Sequence, residues 1–173
     1  MAITDYPLTS RFNEVDSFHK TPHKGLDIAL PLYTPVEALN NAVVVYVGTN
    51  DILGNHTRLQ LNDGKIIVYG HLAEFKVKED QMVFKGEVIG LSGGQPGMQG
   101  AGKSNGAHLH LTLIENGVPV NPEHYLFDQQ DISSPLIFPL MIILVLIGIW
   151  KAKRFLFYGL GIFAVLLVIF IAS

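Results

Sequence analysis

The 173-residue sequence contains no cysteine. That absence excludes a disulfide framework, a thiolate metal site and a cysteine nucleophile. It assigns no redox compartment, because a cysteine-free domain is stable in either. A basic excess is lacking too. Three of the twelve Lys and Arg residues, Lys151, Lys153 and Arg154, fall near the C-terminus, while all fifteen Asp and Glu residues precede Leu136, so residues 1–135 carry a net charge of −6. Phosphate binding needs a basic face, so nucleic acid is not an expected partner. Before Leu136 no segment sustains an apolar 3.6-residue period for three turns. The helical motif His-Glu-x-x-His is missing as well, so Glu37, Glu87, Glu115 and Glu123 read as surface residues and not as a general base. The opening Met1–Tyr6 has neither the basic start nor the apolar core of a signal peptide.

Charge is absent altogether from two C-terminal runs, Leu136–Trp150 and Phe155–Ala172, which are separated by Lys151-Ala152-Lys153-Arg154. As helices they would rise about 22 Å and about 27 Å, against a hydrocarbon core of ~30 Å. Only a helix satisfies its own backbone in lipid, so the expectation for 136–173 is a two-helix transmembrane hairpin with helices at about 136–150 and 155–172. Ser133, Ser134 and Pro135 could extend the shorter helix into the interface. Trp150 and Tyr158 flank the basic turn, where aromatic rings prefer to sit. The basic turn should face the cytoplasm, which puts the preceding domain on the opposite side. The chain would then be an integral, multi-pass membrane protein with a lipid bilayer as partner. Its first domain would face the cell wall, or be carried on the membrane of a virus particle, among partner proteins of such an assembly.

Residues 1–126 read as one all-β domain, and 127–135 as a linker. Turn residues recur every eight to twelve positions between short β-branched runs. Asn41–Gly48 reads as a buried strand. Thr57–Leu61 and Lys65–Tyr69 flank Asn62-Asp63-Gly64, a hairpin signal. Gln81–Val83 and Glu87–Leu91 flank Phe84-Lys85-Gly86, and His108–Ile114 turns at Glu115-Asn116-Gly117 into Val118–Val120. Gly93–Gly106 is a long glycine-rich loop, expected to form a mobile rim.

Five side chains on this scaffold suggest chemistry: His23 and Asp27 in His-Lys-Gly-Leu-Asp, His71, and His108 and His110 in His-Leu-His. In a strand, residues two apart share a face, about 6.6 Å along the chain, so His108 and His110 point the same way. Three ligands, His23, Asp27 and His110, would leave a fourth position open for water, as a catalytic zinc requires. Such a metal acidifies water and polarises a carbonyl, while His71 and His108 orient the water, take its proton or bond the tetrahedral oxyanion. The pattern alone leaves open an exchange of roles between His108 and His110. His19, His56 and His124 read as surface residues. Tyr69, two before His71, reads as either groove lining or core.

The stretch His23–Ala29, then Thr34–Ala38, Val68–Leu72, Lys85–Gly90, Gly106–His110 and Val120-Asn121-Pro122 resembles, in order, the lysostaphin-like (LytM-type) zinc endopeptidases. The resemblance spans roughly residues 19–126. It implies a small, compact β-sandwich or barrel-like domain with a groove across one Zn²⁺ per chain. It assigns His23, Asp27 and His110 to the metal and His71 and His108 to catalysis. The implied substrate is the peptide of bacterial peptidoglycan. The loop Gly93–Gly106 is longer than the family's usual short turn, and a C-terminal hairpin stands where the family often has a signal peptide.

The resulting expectation is a membrane-anchored zinc metalloendopeptidase cutting peptidoglycan cross-links. The alternatives are an inactive module that grips peptidoglycan or activates another hydrolase, and a scaffold whose zinc serves only stability. The acidic domain suggests small neutral or amine-bearing peptides as substrates. Gly97–Ser104 matches the phosphate-loop pattern G-x-x-x-x-G-K-S, but an alternating strand follows it instead of a helix, so no nucleotide is expected.

Overall fold

The computed structural model describes residues 3–18 and 20–127, without the side chains of His124 and Phe127. The chain divides into two compact units, Met1–Gln129 and Gln130–Ser173. The expected hairpin at 136–173, most of the linker, His19 and the side chain of His124 lie outside the described residues. Among the described residues no helix is long and apolar enough to cross a membrane.

After a 3₁₀ turn at Ile3–Asp5, eleven strands and one short helix follow among the described residues. They are β1 (Leu8–Ser10), β2 (Leu26–Ile28), β3 (Pro35–Glu37), β4 (Ala42–Asn50), β5 (Gly54–Leu61), β6 (Ile66–Gly70), β7 (Leu72–Phe75), β8 (Met82–Val83), β9 (Val88–Ser92), β10 (Leu109–Glu115), β11 (Val118–Val120) and α1 (Glu123–Phe127). The larger sheet runs β1-β2-β10-β6-β5-β4-β8, with β11 also paired to β10. The smaller sheet runs β3-β9-β7. All pairings are antiparallel.

The period-two alternation of the strands builds the core. Leu109, Leu111 and Leu113 of β10 face inward beside Leu26 and Ile28 of β2, Ile67 and Tyr69 of β6, and Leu59 and Leu61 of β5. Val36, Leu72 and Ile89 of the smaller sheet close the same cluster. Burying each such side chain stabilises the fold by about 1.5–3 kcal/mol. The opposite face of the larger sheet is left for His110, Thr112, Val68 and Arg58, which line a groove.

The hairpin around Asn62-Asp63-Gly64 forms as β5 and β6, with Gly64 at a φ of 84°. The two strands flanking Phe84-Lys85-Gly86 part company, however. β8 pairs with β4 in the larger sheet and β9 joins the smaller one. Two apolar runs separated by a turn need not pair with each other when each finds a better edge. Phe127, the first residue of the expected linker, ends α1.

His56 corrects a surface expectation: it is 1% exposed. It stacks on Tyr46 at 4.8 Å between centroids, and its Nδ1–H donates to the Gly54 carbonyl at 3.0 Å. Burial pushes its pKa down. Tyr69 belongs to the core, fully buried, with its hydroxyl accepting from the Leu39 N–H at 3.0 Å. It does not share a face with His71, because His71 adopts a φ of 58° and breaks the strand between β6 and β7.

Candidate metal centre and groove

β10 carries His110 to the outer face of its sheet, and His108 stands just before the strand, bridged to Gly93. His110 lies opposite Asp27 of β2 on one side and Gly70 of β6 on the other. That register brings the 23–27 segment to the 108–110 segment, 83 residues later. His110 Nδ1 lies 2.8 Å from Asp27 Oδ1 and 3.1 Å from His23 Nε2, and His23 Nε2 lies 3.4 Å from Asp27 Oδ1. All three residues are buried. Ligand atoms about 2.0–2.2 Å from a tetrahedral zinc are separated by about 3.3 Å, so these three edges fit one face of such a tetrahedron. Among the described residues this trio is the one group whose donor atoms converge as a metal site needs, and it supplies three ligands where a closed structural site has four.

The outer nitrogens fix the inner ones. His23 Nδ1 lies 3.2 Å from the Arg11 carbonyl, which can only accept, so Nδ1 carries the proton and Nε2 keeps its lone pair. Ser10 Oγ, also 3.2 Å away, supports the same nitrogen. His110 is turned the other way. Its Nε2 lies 2.9 Å from Thr112 Oγ1, which can accept Nε2–H and free Nδ1 for a metal. Burial would raise the Asp27 pKa, but hydrogen bonds from His110 and His23 outweigh it and hold the carboxyl well below its usual range. For His110, burial dominates over the pull of Asp27 and pushes the pKa down.

Gly25 was not singled out by the sequence reading, although it sits inside the His-x-x-x-Asp motif. A Cβ there would lie 2.4 Å from the Leu111 carbonyl oxygen and 2.9 Å from the His110 ring. The motif therefore needs a glycine to let the His110 imidazole lie against its backbone.

His71 and His108 sit beside the trio. Their rings meet edge-on with centroids 4.6 Å apart, and His71 is 5.9 Å from His110. His108 Nε2 is 3.6 Å from Asp27 Oδ1. Each donates Nδ1–H to a backbone carbonyl, His71 to Ala101 at 2.8 Å and His108 to Gly106 at 2.9 Å. Ser104 Oγ adds a contact to His108 at 3.1 Å. In its neutral form each ring therefore carries the lone pair on Nε2. Burial, then His108 and His110, push the His71 pKa down to about 4, so it is neutral at pH 7.

Those carbonyls belong to the glycine-rich loop, whose second half is hydrogen-bonded to β5 and the turn before it, while Gln95, Pro96 and Gly97 at its tip are exposed. Asn55 N–H donates to the Gly100 carbonyl at 2.8 Å, and Lys103 N–H to the Ile52 carbonyl at 2.9 Å. Gly54 and Gly100 approach so closely that a Cβ on Gly54 would lie 2.0 Å from the Gly100 oxygen. Ala101 is buried beneath this clasp. Nothing in the loop's composition announces that its backbone orients both imidazoles. From Ser104 the chain passes into β10 without a helix, so no helix N-terminus stands behind Gly97–Ser104.

An open groove of about 740 Å³ runs across the five residues. Phe18, Ile52 and Pro119 give it apolar walls, and Thr112, Ile114, Val68 and Arg58 belong to the sheet face beneath.

The arrangement is a candidate metal site on a two-sheet β fold, and comparison with known proteins agrees on the fold. The catalytic domain of lysostaphin from Staphylococcus simulans matches with a TM-score of 0.63 at 27% identity, over 72% of this chain and 94% of that one. A zinc-containing peptidase from Vibrio cholerae matches with a TM-score of 0.59 at 29% identity, over 67% of this chain and 35% of that one. Residues 21–122 match the model of peptidase family M23, and the chain belongs to that family. Relatives include the peptidoglycan DD-endopeptidase ShyA of Vibrio cholerae, 34% identical over 69% of this chain and 29% of the relative. Another is the DD-carboxypeptidase/endopeptidase Mpg of Neisseria meningitidis, 38% identical over 58% of this chain and 22% of the relative. The chain spans less than a third of the length of these curated relatives.

Proposed function

We propose that the chain is a membrane-anchored zinc metalloendopeptidase that hydrolyses peptide cross-links of bacterial peptidoglycan. The observation that carries this reading is the triangle of His23 Nε2, Asp27 Oδ1 and His110 Nδ1, with edges of 3.4, 2.8 and 3.1 Å, opening onto a peptide-sized groove. Kinship with ShyA and Mpg supports the substrate class.

His23, Asp27 and His110 would hold one Zn²⁺. Zinc in such a set supplies Lewis acidity, acidifying water towards a pKa of about 7 and polarising the scissile carbonyl. His71, neutral and with its Nδ1–H committed to Ala101, can only accept at Nε2. It therefore orients the attacking water and takes its proton. His108 Nε2 stands on the same side of the site, near Asp27, placed to pass a proton to the departing amine or to bond the tetrahedral oxyanion once protonated. The fixed carbonyls of Ala101 and Gly106 hold both rings in these orientations, so little reorganisation is needed during reaction.

The uncharged runs 136–150 and 155–172 support a two-helix anchor with its basic turn in the cytoplasm. The catalytic domain would then act on wall next to its own membrane, or on wall met by a virus particle carrying it. The test is to incubate the full chain, in detergent, with purified cell wall and identify new amino termini by mass spectrometry. New termini that vanish with a chelator are expected. Their absence with zinc-loaded protein would refute the reading.

A further inference from the structure

The groove inverts the charge of its domain. Residues 1–135 carry a net charge of −6, yet the groove is lined by Lys20, Lys24, Arg58 and Lys103 against one acid, Asp27. Asp27 is already engaged by His110 and His23. Among the described residues none of the four cations forms an ion pair, whereas Lys65, Lys76 and Arg11 elsewhere each do. This reverses the expectation of neutral or amine-bearing substrates. Net charge reports a sum and says nothing of where the charges stand.

Arg58 is the most constrained of the four. It lies on β5 in one cross-strand row with Val68 of β6 and Thr112 of β10. Two strand spacings, about 10 Å, separate it from Thr112, on the side of β10 away from Asp27. Its guanidinium sits over the Tyr46 ring at 5.2 Å from the centroid. Its Nε is buried and has no hydrogen-bond partner. With Nε shut away, the terminal Nη groups of this stacked, oriented guanidinium are left to meet a carboxylate with two N–H donors.

We propose that the groove selects peptides bearing a free carboxylate on the β5 side of the scissile bond, with Arg58 as the carboxylate anchor. Lys20, Lys24 and Lys103 add attraction for the same charge. The inference rests on the endopeptidase reading above and names its substrate class. Cross-linked stem peptides with unamidated carboxylates fit this groove, and uncharged bridges do not.

The test compares two cross-linked peptides that differ only in amidation of one side-chain carboxylate, given to the zinc-loaded full chain in detergent. Amidation should lower kcat/KM at least tenfold, mainly through KM. Arg58→Gln should bring the two peptides to near parity by weakening only the acidic one, and Arg58→Lys should recover part of the difference, with folding checked by thermal melting. Should Arg58→Gln fail to fold, the amidation contrast on the native chain and on Lys103→Gln decides alone. Equal cleavage of the two peptides overturns the proposal and leaves the endopeptidase reading intact. Cleavage of neither removes that reading, and calorimetric binding of the same peptides then decides the groove: tighter binding of the acidic one supports the proposal, and equal or no binding overturns it. Stronger competition from a polyglycerol phosphate than from the acidic peptide would make the groove a polyphosphate site and also overturn it.

Discussion

Thr112→Val isolates the contact that orients His110. The substitution is nearly isosteric and leaves every proposed ligand in place. It removes the one hydroxyl 2.9 Å from His110 Nε2, at a position only 7% exposed. Without metal, the His110 ring can respond by exchanging its protons or turning. With metal, Nδ1 is committed and the proton must stay on Nε2, where it now faces a methyl group. The loss therefore falls more heavily on the bound state. Removing such an outer partner typically costs 10- to 100-fold in metal affinity, or about 1.4–2.7 kcal/mol. The buried N–H left without an acceptor also costs about 1–3 kcal/mol of fold stability. Zinc affinity is read by competition with a chromogenic chelator, and stability by urea unfolding of the zinc-loaded protein. Thr112→Ser restores the hydroxyl and should return the affinity to within a few-fold of the native value. Native affinity in Thr112→Val would refute the assignment of His110 Nδ1 as the metal-facing nitrogen.

Asp27→Ala should strip zinc from the purified protein, as measured by elemental analysis, because it leaves two imidazoles to hold the ion. His71→Ala should keep zinc at one per chain but lower turnover by about 10²–10⁴-fold, the range for losing a general base. Gly25→Ala places a methyl 2.4 Å from the Leu111 oxygen and 2.9 Å from the His110 ring. The strand or the ring must move, so both melting temperature and zinc affinity should fall, with overpacking costing about 1–3 kcal/mol. Leu111→Ala, at a core position 1% exposed, should cost about 2–5 kcal/mol in urea unfolding and leave zinc stoichiometry unchanged.

The motifs that hold the five candidate side chains could be read because they are local. His110 lies on β10 with His108 just before it, and Asp27 lies on β2, so strand periodicity orients His110 and Asp27, whereas His23 lies outside any strand. The all-β class was legible for the same reason, as was the hairpin at Asn62-Asp63-Gly64. His56 was misjudged because nothing in its neighbours shows that Tyr46, on the partner strand, will cover its ring. The parting of β8 from β9 was hidden because edge availability is settled by strands far away in the chain.

By itself the sequence determined the inventory: which atoms could bind a metal, which strands could display them, and two uncharged runs long enough to matter to a membrane. Tertiary structure alone decided the rest. It set the β2–β10 register that brings His23 and Asp27 to His110, and the carbonyls of Ala101 and Gly106 that choose a tautomer for His71 and His108. It also gathered four cations into one groove of an acidic domain. The physical reason is that a strand's period fixes where a side chain points within its own segment. Distances between segments, and the hydrogen bonds that orient a ring, exist only once separate parts of the chain have packed together.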